Sequence, residues 1–130
     1  MSNQPQSGYL LVFRSTDWYK GLSQAQIQEI ADHWMAWFRR LSEEGTVVAG
    51  NPLEHTGKVV SGKGGGLVAD GPFVESKETI GGYFLLKTTS LAEALAIAQQ
   101  CPGLPYGIRI EVRPIAGECP VGEEGRNATV

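Results

Sequence analysis

Asp70, Glu75, Lys77 and Glu78 fall within nine consecutive positions, with a Gly71-Pro72 corner inside the cluster. An apolar run follows at once, residues 80–88. Asp ahead of Gly-Pro favours a tight turn, because proline pre-sets one backbone angle and the Asp side chain can bond nearby amides. A turn of that kind would hold carboxylates at the mouth of a sheet. One carboxylate could then act as general base while Lys77 holds an anion or stabilises developing charge. Acids crowded with a lysine also perturb each other's proton affinity, as groups in active sites often do. The same residues fit a plain turn with solvated charges, and both readings stand at this level.

Other reactive side chains are scattered. His33 lies on the flank of a helical pattern, one turn before Trp37, and has the side chain best suited to acid–base work near neutral pH. It fits a surface or interface residue equally well. His55 stands apart, and the two histidines lack metal-ligand spacing. Cys101 precedes Pro102 at a helix C-terminus, where the partial negative charge disfavours a thiolate, so a packed structural thiol is expected. Gly57 to Lys63 matches most of a phosphate-loop pattern, but Gly64 stands where a magnesium-binding hydroxyl belongs. Val59-Val60 also favour a strand there, so the match is rejected. Arg109 and Arg113, with Arg14, could hold a carboxylate ligand or form interface ion pairs.

These side chains must be placed by the elements around them. Residues 8–14 read as a strand apolar enough to be covered on both faces. Ser23 and Gln26 form a capping box opening a helix to about residue 44, with Ile27, Ile30, Ala31, Trp34, Phe38 and Leu41 on one face. Residues 46–50 are a short strand, 51–56 a polar connection, and 57–62 with 67–69 a hairpin around three glycines. Residues 80–88 form a further strand. Ser90 and Glu93 cap a second helix, with Leu91, Ala94, Leu95 and Ala98 expected inward and Pro102 as its stop. Residues 108–113 alternate, with Ile108, Ile110 and Val112 on one face and three charged residues on the other.

The order β-α-β, hairpin, β-α-β is the split ferredoxin-like pattern, an α+β fold with an antiparallel sheet and both helices on one face. The other face needs a cover. Tyr9, Phe13, Trp37 and Tyr83 are expected there, and a two-fold homodimer closing sheet on sheet is the preferred architecture. One domain, residues 8–116, is expected between flexible termini at 1–7 and 117–130.

At 130 residues, 42% hydrophobic and 19% charged, the chain has the composition of a folded domain. A net charge of −3 without a basic block argues against nucleic acid. No apolar run approaches a membrane span, and the N-terminus lacks the features of a signal peptide, so a cytoplasmic setting is expected.

The passage Asp70-Gly-Pro-Phe-Val-Glu-Ser-Lys-Glu78 resembles the signature of the DGPF family, a branch of the YCII-related proteins. The resemblance extends over residues 9–115 and takes in Gly81-Gly-Tyr-Phe-Leu-Leu86, Cys101-Pro102 and Glu111-Val-Arg-Pro114. It implies a dimeric ferredoxin-like fold of the α/β-barrel type, in bacterial proteins mostly without an assigned reaction. Some relatives resemble small-molecule isomerases and lyases; others accompany sigma factors. The wider group's His–Asp pair would put its His near His33, but its Asp coincides with Cys101, so the acidic partner is missing. A small-molecule cleft near the dimer interface is expected, with cofactor-free proton transfer of isomerase or lyase type. A non-enzymatic protein associated with a sigma factor is the alternative. Asp70 and His33 are the catalytic candidates. Phe73, Glu75, Lys77, Tyr83 and Arg109 are the ligand-binding ones, with no metal or cofactor expected.

Overall fold

The computed structural model describes residues 8–15, 18–71 and 79–117. Strand β1 (Tyr9–Ser15) leads to helix α1 (Gln24–Glu43) and strand β2 (Val47–Pro52). A hairpin of β3 (Gly57–Ser61) and β4 (Leu67–Gly71) follows, then β5 (Thr79–Leu86), helix α2 (Leu91–Ala98) and β6 (Arg109–Pro114). The main sheet runs β2-β5-β1-β6 with every neighbouring pair antiparallel, while β3 and β4 form a separate two-stranded ribbon. This is the strand order of a ferredoxin-like domain with the ribbon inserted between its second and third sheet strands. No helix among the described residues is long and apolar enough to cross a membrane.

Local sequence explains the element ends. Ser23 accepts from the Gln26 amide at 3.1 Å, and the Gln26 side chain accepts from the Ser23 amide at 2.8 Å, closing a reciprocal capping box. At α2 the arrangement differs. Ser90 accepts from the Glu93 amide, but Glu93 is engaged by the Thr88 hydroxyl, which in turn accepts from the Ser90 amide. Thr88 therefore takes the place that a capping-box carboxylate would fill. The ribbon's turn needs Gly62, Gly64 and Gly65, whose φ angles of 83°, 71° and 70° are left-handed.

The core lies between the two helices and one face of the sheet. Tyr9, Leu11 and Phe13 of β1 and Phe84 and Leu86 of β5 meet Trp37 and Leu41 of α1 and Ala94, Ile97 and Ala98 of α2. Phe13 is the hub, with edge-on ring contacts to Trp34, Trp37 and Phe84 at centroid separations of 5.0, 6.2 and 4.8 Å. The indole N–H of Trp37 is buried without a hydrogen-bond partner among the described residues, which costs about 1–3 kcal/mol. Edge-to-face contacts with Phe13 and Trp34 offset part of that cost.

Three expectations are corrected here. Tyr9, Phe13 and Trp37 belong to the helix-side core rather than the opposite face, because the alternation of β1 sends its odd-numbered residues inward. Leu91 and Leu95 are exposed, whereas Ala94, Ile97 and Ala98 are buried. Alanines at the contact let α2 sit close to the sheet, and that rotation turns the two leucines outward. Strand β2 also continues through Asn51 to Pro52 instead of stopping at Gly50. Proline is tolerated because β2 is an edge strand.

Candidate functional site

Helix α1 carries more apolar surface than the core consumes. Ile30, Trp37 and Leu41 are buried, while Ile27, Trp34 and Phe38 are only half-buried and Ala31 and Met35 are exposed. The second group faces a cleft of about 450 Å³ between α1 and the β2–β5 edge of the sheet. Its sheet side is supplied by Gly50, Asn51 and Pro52 of β2 and Gly81, Gly82 and Phe84 of β5, and Trp18 completes the aromatic lining. Among the described residues, no lining side chain is titratable.

Glycine and a bulge shape this side of the sheet. Phe13 pairs with Gly82 but Arg14 pairs with Ile80, so Gly81 is the extra residue of a β-bulge. A Cβ on Gly82 would stand 2.8 Å from the Asn51 carbonyl oxygen, so only glycine lets β2 approach this closely. A Cβ on Gly50 would meet ring atoms of Phe84 and Phe38 at 2.8 and 2.9 Å. Gly81 is different, since its nearest neighbour would be 3.9 Å away.

A second concavity, of about 960 Å³, runs between α1 and α2. His33, Arg40, Glu44, Glu93 and Gln100 line it and are all exposed, and Arg40 donates to Gln100 at 2.7 Å. Charged groups in contact with water interact weakly, so this is a solvated trough rather than an enclosed site.

The sequence candidates are dispersed. His33 is on the trough, exposed and without a hydrogen bond or ion pair among the described residues. Asp70 is on the ribbon, where it forms an exposed ion pair with Lys58, and it lines neither concavity. Surface pairs of that kind contribute about 0–1 kcal/mol and hold no fixed geometry. Tyr83 faces away from the helices and accepts from the Asn51 amide nitrogen at 3.3 Å. Arg109 is exposed on the same face. Phe73, Glu75, Lys77 and Glu78 lie outside the described residues.

Beside Arg109, Glu111 accepts from Arg113 at 2.9 Å and from Arg14 at 3.0 Å. The Arg113 hydrogen bond is the chief reason its carboxyl sits below the usual range, with the charges of Arg113 and Arg14 adding to it. Two of the three arginines considered for a carboxylate ligand, Arg14 and Arg113, thus already hold one of the chain's own. Cys101 is buried and accepts from the Gly103 amide at 3.4 Å. Burial pushes its thiol from 9.0 up to about 11, which suits packing rather than nucleophilic attack.

The cleft residues missed from sequence were Trp18, Met35, Gly50, Asn51, Pro52, Gly81 and Gly82 as site components. A signal was present: Ile27, Ala31, Trp34 and Phe38 form an apolar stripe at helical spacing, which reads as core whether or not a sheet side chain fills the space opposite.

A family model described as the YCII-related domain matches residues 12–125. No curated protein matches the chain. The match spans well over half of the sequence and takes in both helices and all of the four-stranded sheet but the first three residues of β1. With this strand order and helix placement, it shows that the chain belongs to the YCII-related domain family.

Proposed function

We propose that the chain binds a small organic molecule in the cleft between α1 and the β2–β5 edge, and that turnover there is cofactor-free proton transfer of isomerase or lyase type. One observation carries the reading: about 450 Å³ of concave space is walled by Trp18, Trp34, Phe38 and Phe84 and backed by glycine-lined strands. Clefts of this size with apolar and aromatic walls are where small ligands bind. Since the described lining has no titratable side chain, the acid and base must come from outside it. Asp70, Glu75 and Glu78 precede Gly81 in sequence and are the first candidates, with Lys77 as the cation and Phe73 as a further wall; His33 is the second. A homodimer joined through the open sheet face, where Leu10, Val12 and Leu85 are half-buried, would leave this cleft accessible.

The test is saturation-transfer NMR with a mixture of small aromatic fragments on the wild type and on Ala31→Trp, which fills the rim from an exposed helix position. Binding to the wild type and its loss in the variant are expected. Fragments that bind both proteins equally would move the site elsewhere.

A second reading has one observation in its favour. Val60, Leu67 and Val68 on the β3–β4 ribbon are all exposed, which suits contact with a protein partner, a sigma factor being the family's candidate. Under that reading Val68→Lys abolishes partner binding and Ala31→Trp leaves it intact.

A further inference from the structure

The cleft exists because large side chains on the helix meet small ones on the sheet. Opposed residues of β2 and β5 share a face of the sheet. Val47 pairs with Leu86, Gly50 with Phe84 and Pro52 with Gly82, so the side that carries the buried Val47, Leu86 and Phe84 continues as Gly50, Pro52 and Gly82. Helix α1 does not shrink to match, and Ile27, Trp34 and Phe38 stand across the gap. A gap of this kind leaves the dispersion contacts of its apolar walls unmade. Glycine inside a strand also marks places where a ligand or another backbone comes close.

The aromatic walls are held from behind. Because Gly50 has no Cβ to meet their rings, Phe38 and Phe84 rest on β2 with centroids 5.1 Å apart. Trp34 meets Phe13 edge-on at 5.0 Å, and a Cβ on Gly103 would stand 2.7 Å from its Cζ3, so the indole is wedged between β1 and the chain that follows α2. Trp18 is braced by ring contacts with Tyr19 and Tyr106 at 6.1 and 6.3 Å. Rings fixed in this way lose little freedom on binding, which favours a ligand of matching shape. Each aromatic pair also adds roughly twofold to tenfold in affinity beyond the area it buries. Taking the cleft as a small-molecule site, we propose that it selects a flat aromatic ring system over the saturated ring of the same skeleton, with Trp34 and Phe38 supplying the ring contacts. The saturated ring buries at least as much apolar area, so the preference comes from aromatic contact and fit rather than from the hydrophobic effect.

The test compares 2-naphthylmethanol with its decahydro analogue by ¹H–¹⁵N NMR titration of the full chain. Both are uncharged and carry the same hydroxymethyl group, so charged groups near the cleft do not separate them. The wild type is expected to bind the aromatic compound about tenfold more tightly, as two ring contacts would give, with shifts at Trp34, Gly50 and Gly82. Phe38→Leu keeps an apolar side chain but removes one ring, and should narrow that preference at least about twofold. Phe38→Met should narrow it likewise and guards against a leucine variant that does not fold. Equal binding of both compounds at the cleft, or a preference undiminished in both variants, would overturn the aromatic selection and leave the cleft reading standing. Shifts confined to the trough or the open sheet face, or no binding of either compound, would overturn both.

Discussion

Cys101 shows how far a single residue can be read. Its place ahead of Pro102 at a helix end argued for a packed thiol, and it is buried with its thiol shifted up to about 11 by that burial. A folded-state value above the ordinary 9.0 means the neutral thiol is favoured by the fold. Stability from this group is full below pH 9.0 and is lost as pH rises towards about 11, because the unfolded chain releases its proton first. Denaturant titrations between those values should show stability falling more steeply in the wild type than in Cys101→Ala; parallel slopes would remove the thiol from the account. His33 and Asp70 were less legible. Their residue types invited acid–base roles, but type does not reveal direction, and one faces a solvated trough while the other pairs with Lys58 on the ribbon.

Elements were legible where local chemistry decides them. The Ser23–Gln26 box, the strand alternation of β6 and the glycine turn of the ribbon all follow from short-range rules. Ser23→Ala should lower stability by about 1 kcal/mol, read from the shift in urea midpoint, since one helix donor loses its partner. No shift would mean that water or the following turn replaces the cap. What sequence could not resolve is rotation about an element's own axis. On α2, alanines rather than leucines face the sheet. On α1, a stripe broad enough to serve as core is split, with Leu41 inward beside Trp37 and Ile27, Ala31 and Phe38 over a cleft. Both depend on how closely helix and sheet approach, which no helical period encodes.

For the whole molecule, the ferredoxin-like order follows from the sequence of elements, and its consequence among the described residues is a sheet covered by helices on one side only. Leu10, Val12 and Leu85 make the open side's centre apolar, with the Arg14–Glu111–Arg113 pairs towards the β6 edge. Sedimentation of the wild type is expected to give the mass of two chains, and Leu85→Lys the mass of one at the same concentration. A wild-type monomer at every concentration would end the dimer proposal. The central claim concerns the other side of the sheet, and intermolecular nuclear Overhauser effects from a bound aromatic fragment test it most directly. The account predicts contacts to Ile27, Trp34 and Phe38; contacts instead to His33 and Ile97 of the trough, or to Leu10 and Val12 of the open face, would contradict it.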